Sequence, residues 1–160
     1  MITLVLGGAR SGKSEIAEGL VAKRPPPIVY FATAQPEGDD DFTARVARHR
    51  ERRPSDWKTI EASTDLVGAL QATPGTALVD ALGPWVANHT DFEVDVDALI
   101  AALTRRDGDA VVVSEEVGLG VHPSTEAGRH FRDALGELNH AIADIADEVL
   151  LVIAGRVLPL

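Results

Sequence analysis

Gly7-Gly8-Ala9-Arg10-Ser11-Gly12-Lys13-Ser14 reads G-x-x-x-x-G-K-S directly after the apolar run Ile2-Thr3-Leu4-Val5-Leu6. Glycines at both ends let the backbone curl so that successive N–H groups point inward, where they and a helix N-terminus meet an anionic phosphate. Lys13 adds a mobile positive charge. Ser14, at the start of the helix, can place its hydroxyl on a Mg²⁺ ion bridging the terminal phosphates of a polyphosphate. A glycine-rich turn without a ligand is the alternative; the full pattern in a strand–loop–helix setting favours the phosphate site.

A second group of reactive residue types follows the acidic stretch Glu37-Gly38-Asp39-Asp40-Asp41. Residues 42–53 read as a helix carrying Arg45, Arg48, Arg50, Arg52 and Arg53. Acids before it and bases at its end suit the helix dipole, which is a sufficient structural reason for the charges. Phe42, Val46, His49 and Arg53 share one face, so His49 is directed with two apolar residues. Two roles stay open for it. It is a packing histidine, or a neutral imidazole that attacks a phosphorus whose charge the surrounding guanidinium groups neutralise.

The elements that must position these groups alternate between strands and helices. Residues 13–22 suit a helix ended by Pro25-Pro26-Pro27, and 28–32 form an apolar strand running into Thr33 and Ala34. Ala32, Thr33 and Ala34 would lie near the phosphate loop if the strands are parallel, because ligands collect beyond the carboxyl ends of such strands. Residues 57–60 alternate as a partly exposed strand ending at Glu61, and Ser63, Thr64 and Asp65 can cap a short helix over 66–70. The strand 76–80 finishes in Asp80, where a Mg²⁺-orienting carboxylate belongs in a phosphate-loop domain; a surface acid at a strand end is the plainer reading. A helix over 96–106 and a buried strand over 110–113 come next. The latter ends in Ser114-Glu115-Glu116 and enters the glycine-bearing loop 117–123, which either covers a substrate or merely connects. A long amphipathic helix over 124–146 carries the stripe Phe131, Leu135, Leu138, Ile142, Ile145, and a last buried strand at 149–153 precedes a tail from Gly155. The pattern predicts an α/β fold: one mostly parallel sheet between helices, with right-handed crossovers.

The whole chain sets outer bounds. Its 160 residues fit one domain with a sizeable core, and with no cysteine there is no disulfide framework, thiolate nucleophile or Cys-ligated metal. A net charge of −10, from 15 basic and 25 acidic residues, repels nucleic acid. No apolar run approaches the roughly 20 residues that span a bilayer, so no membrane insertion is expected. The opening strand runs straight into the loop without a leader pattern, which reads as cytoplasmic. Of the five histidines, His89, His122, His130 and His140 show no metal-ligand spacing.

Four blocks together resemble the bifunctional adenosylcobinamide kinase / adenosylcobinamide-phosphate guanylyltransferase family. They are the phosphate loop, Tyr30-Phe31-Ala32-Thr33-Ala34, Arg45-x-x-x-His49-Arg50-x-x-Arg53-Pro54-x-x-Trp57, and Glu116-Val117-Gly118-Leu119-Gly120 with Arg129-His130-Phe131-Arg132-Asp133. The resemblance implies a RecA-like P-loop NTPase fold and two reactions in one domain: phosphorylation of adenosylcobinamide by ATP or GTP, then GMP transfer from GTP to that phosphate, releasing pyrophosphate. It implies His49 as the GMP carrier and Lys13 as its catalytic companion. Residues 7–14 with Mg²⁺ on Ser14 and Asp80 would hold phosphates, while Ala32, Thr33, Ala34, Arg50, Glu51, Arg52, Arg53, Glu61 and Asp80 match nucleotide-contacting positions. A homotrimer is implied as well. Arg48 stands where some members carry a second histidine, and Glu115 where a neutral residue often precedes the motif glutamate. A monofunctional P-loop small-molecule kinase with a structural His49 and a GTP-dependent binding module are the competing readings.

Overall fold

Strands buried on both faces need nearly continuous apolar sequence, and the runs identified above meet that need. In the computed structural model, which describes residues 1–35 and 54–160, they form β1 (Ile2–Gly7), β2 (Ile28–Ala32), β4 (Thr76–Asp80), β5 (Ala110–Glu115) and β6 (Glu148–Ile153). Two shorter strands, β3 (Lys58–Glu61) and β7 (Arg156–Pro159), complete a seven-stranded sheet of order β3-β2-β4-β5-β1-β6-β7. Every pairing is parallel except β6 with β7. The predicted helix over 42–53, with His49 and its arginines, lies outside the described residues.

The sheet separates two apolar layers. Leu4, Phe31, Val79 and Val112 face the helices α2 (Leu66–Ala72), α3 (Leu82–Ala87), α4 (Val96–Thr104) and α5 (Glu126–Ile145). Val5, Tyr30, Leu78, Val111 and Val113 face the other way, onto Ala17 and Val21 of α1 (Lys13–Val21). The stripe on α5 is core as its period requires, with Leu135, Leu138 and Ile142 fully buried. Phe131 closes one end of it, meeting Phe92 edge to face at 5.5 Å. Side-chain caps start three helices: Asp65 accepts from Gly68 N, Asp95 from Ala98 N, and Thr125 from Gly128 N.

Two elements differ from the sequence reading. Helix α3 occupies a stretch to which the sequence reading assigned no element; proline is tolerated in a first turn, and burial of Leu82, Trp85 and Val86 holds the helix. The tail from Gly155 is a hairpin. Ala154 and Gly155 both have positive φ, which matches the twist of a two-residue hairpin turn and folds β7 back antiparallel on β6. The helix over 96–106 stops at Thr104, and that over 124–146 spans Glu126–Ile145.

Candidate functional site

β1 delivers the chain to the carboxyl edge of the sheet between β5 and β6, and the loop from Gly8 to Gly12 joins it to α1. Gly7 is pressed against its surroundings: a Cβ there would lie 2.5 Å from Ser11 Oγ and 2.8 Å from Val152 O. Gly12 takes φ 92°, the left-handed region open to glycine, and leads directly into α1. Gly155 N donates to Ser11 O at 2.8 Å, so the β6–β7 turn braces the loop. Gly8, Ala9 and Arg10 remain exposed, leaving the cradle accessible to an anion.

Lys13 is buried at the start of α1. Its Nζ donates to Gly8 O at 3.4 Å and pairs with Glu115 Oε1 at 3.4 Å. Ser14 Oγ donates to Asp80 Oδ1 at 3.1 Å, and Tyr30 Oη donates to Asp80 Oδ2 at 2.5 Å. Asp80 thus stands at the strand end the sequence indicated, joined to the loop serine across the intervening β5. Hydroxyl and carboxylate together suit a hard divalent cation that keeps waters and shares phosphate oxygens. Among the described residues there is no group of three or more His, Asp or Glu that could hold a metal ion.

The β2 end behaves differently from a simple ligand strand. Thr33 is fully buried; its Oγ1 donates to Ala81 O at 2.5 Å and accepts from Ala81 N at 2.9 Å. Asn88 Nδ2 ties Thr33 O to Ser63 O, at 2.9 and 2.8 Å. Thr33 therefore fixes the backbone just after Asp80, while Ala34 is half-buried at the same edge. Glu61 ends the outermost strand, four positions from β1 in the sheet, which is about 19 Å at ordinary strand spacing. The structure brings Lys13, Ser14 and Asp80 together and sets Glu61 at the same sheet edge, beside Ala32 and two strands from Asp80. Arg50, Glu51, Arg52, Arg53 and His49 lie outside the described residues.

At the end of β5, Glu116 N donates to Gly7 O at 3.2 Å, so the loop over 117–123 begins beside the phosphate loop. Its stem is held by Glu116 Oε1 accepting from Gly118 N at 2.6 Å and by Arg129 Nη1 donating to Pro123 O at 3.1 Å. Leu119 and Val121 at its tip are exposed. His122 Nδ1 lies 2.9 Å from Arg132 Nη1, a local contact of that loop. Sequence reasoning missed the roles of Tyr30 and Glu115. A tyrosine in a buried strand needs a partner for its hydroxyl, which was the available signal for the first; the Glu115 contact depends on strand order.

A phosphate loop on a central parallel strand, with a carboxylate from a non-adjacent strand on its serine, defines a P-loop NTPase-fold protein. The fold is shared with an ATPase of a type III secretion system from pathogenic bacteria, at TM-score 0.54 and 12% identity over 94% of this chain and 50% of that one. Within that class the chain belongs to the cobinamide kinase / cobinamide phosphate guanyltransferase family, whose pattern matches residues 3–160. It is 40% identical to the bifunctional adenosylcobalamin biosynthesis protein CobP of Pseudomonas aeruginosa, covering 100% of this chain and 97% of that protein. It is 37% identical to the bifunctional adenosylcobalamin biosynthesis protein CobU of Salmonella typhimurium, covering 97% of each.

Proposed function

We infer that the chain is both a cobinamide kinase and a cobinamide phosphate guanylyltransferase of adenosylcobalamin biosynthesis. Family membership along nearly the whole chain supports this reading, and the observation that carries it to the residues is the convergence of Lys13, Ser14 and Asp80 on one loop. In the kinase reaction the loop N–H groups and Lys13 bind the phosphates of ATP or GTP and neutralise charge as the terminal phosphoryl passes to the cobinamide hydroxyl. Ser14 and Asp80 would hold Mg²⁺, which supplies further charge neutralisation between the phosphates. Tyr30 and Thr33 keep Asp80 and the backbone after it in place.

In the transferase reaction a His49 ring nitrogen bonds to the α-phosphorus of GTP as the bond to the β-phosphate breaks and pyrophosphate leaves. An oxygen of cobinamide phosphate then attacks the same phosphorus, the P–N bond breaks, and the guanylylated product departs. Arg50, Arg52 and Arg53 suit the charge of that centre, and Glu51, Glu61, Ala32 and Ala34 the nucleoside. One domain carries both reactions. A homotrimer, a cytoplasmic location and an absence of nucleic-acid partners complete the reading; among the described residues no helix is long and apolar enough to cross a membrane.

Mass spectrometry after incubation with GTP and Mg²⁺ tests the transferase half. An acid-labile GMP adduct mapped to His49 and lost in His49→Ala is the expected result. Phosphorylation of cobinamide without any adduct or guanylylated product would leave a kinase alone.

A further inference from the structure

Lys13 is only 9% exposed, and its ammonium lies 3.4 Å from Glu115 Oε1. Glu115 ends β5 in register with Gly7, so the sheet itself aims this side chain at the phosphate loop. Its other oxygen, Oε2, accepts from Gly83 N at 2.9 Å at the start of α3. A Cβ at residue 83 would stand 2.2 Å from that oxygen, so the absence of a side chain there makes room for the carboxylate. Asn139 Nδ2 donates to Glu115 O at 3.0 Å and fixes the backbone behind it.

We propose that Glu115 is a positioning residue that occupies Lys13 as an internal stand-in for phosphate, weakening polyphosphate binding and speeding polyphosphate release. The proposal rests on Lys13 being a phosphate ligand. A carboxylate and a phosphate oxygen compete for the same ammonium, and when both are near it they repel each other in a partly buried site where salt screens poorly. Glu115 is tethered by Gly83 N, so it remains beside Lys13 when nucleotide arrives. As NDP or pyrophosphate leaves, the carboxylate recovers its cation. The lysine of such a loop reaches the β- and γ-phosphates, so a nucleoside monophosphate is insensitive to the competition.

Glu115→Gln keeps the acceptor for Gly83 N and removes the charge. With the purified full chain, displacement of a fluorescent GTP analogue by GTP, pyrophosphate and GMP measures the three affinities, and stopped-flow chase measures release. The variant should bind GTP and pyrophosphate about tenfold tighter, the scale of one charge-assisted contact, and release the analogue correspondingly more slowly. GMP affinity should change less than twofold, a split between polyphosphate and monophosphate that a merely structural role would not give. If Glu115→Gln does not fold, as judged by its melting transition, Glu115→Asn is read in the same way. Unchanged or weaker binding of GTP and pyrophosphate, or equal tightening of GMP, overturns the proposal. A parent chain that binds no GTP removes the phosphate-site reading itself, and this proposal with it.

Discussion

Tyr30→Phe and Asp80→Asn cut one hydrogen bond from opposite ends and should separate stability from chemistry. Tyr30 is 1% exposed, and its hydroxyl donates to Asp80 Oδ2 at 2.5 Å while Ser14 occupies Oδ1 at 3.1 Å. A hydrogen bond to a charged group is worth about 1.5–3 kcal/mol, and the phenylalanine ring refills the space, so Tyr30→Phe should cost about 1–2 kcal/mol. At about 2–4 °C per kcal/mol for a chain of this size, the melting midpoint should drop about 2–8 °C. Asp80→Asn offers one acceptor oxygen in place of two and should cost a similar amount. It also removes the charge proposed to orient Mg²⁺; an outer partner of a metal ligand is worth about 10–100-fold in metal affinity, and loss of the carboxylate charge itself should cost at least as much. The assay is paired: melting curves for both variants, then cobinamide phosphorylation against Mg²⁺ concentration. Tyr30→Phe, which keeps the carboxylate charge and loses one support for it, should shift the Mg²⁺ midpoint less than Asp80→Asn, which should need far more metal. A parental Mg²⁺ midpoint in Asp80→Asn, or an equal shift in both variants, would refute the division of labour.

Gly7→Ala should damage the loop through sterics alone, because its Cβ would meet Ser11 Oγ at 2.5 Å and Val152 O at 2.8 Å. Overpacking of this kind typically costs about 1–3 kcal/mol, and displacement of the loop from β6 should weaken GTP binding at least tenfold; parental affinity in a titration would contradict it. Asp109 supplies a pH test. The N-terminal ammonium at 2.9 Å holds its carboxyl below the usual range, partial burial opposes this, and Arg24 at 3.4 Å reinforces it. A depressed folded-state pKa stabilises above the ordinary carboxylate range and ceases to do so as pH falls through the folded value. Asp109→Asn should therefore melt below the parent at pH 7, and the two curves should converge in acid. A gap that persists undiminished in acid would place the effect in packing rather than charge.

The strands were legible because parallel strands covered on both faces require apolar runs, and α5 because its stripe repeats at helical spacing. Local chemistry misled where tertiary burial decided the outcome. The helix at Leu82–Ala87 had no sequence reading, and it is the burial of Leu82, Trp85 and Val86 that holds it; Gly155 reads as the start of a tail until β7 pairs with β6. The phosphate loop announced itself by spacing, whereas its partners came from strand order. Nothing in the local sequence around Tyr30 or Glu115 reveals that one holds Asp80 and the other Lys13, since those contacts span 50 and 102 residues.

Strand order also explains how two acids serve one loop without crowding each other. β5 stands between β1 and β4, so Glu115 is adjacent to the loop and approaches Lys13 directly. Asp80 on β4 is one strand farther away. Its reach depends on α1, which packs over both β5 and β4 and carries Ser14 outward in its first turn. Lys13 and Ser14, neighbours in sequence, therefore turn to different strands. Removing charge at Glu115 should act on polyphosphate affinity, while removing it at Asp80 should act on metal response. Were both substitutions to shift the same quantity by the same amount, the two carboxylates would be a single electrostatic sink, and the separation imposed by β5 would have no functional meaning.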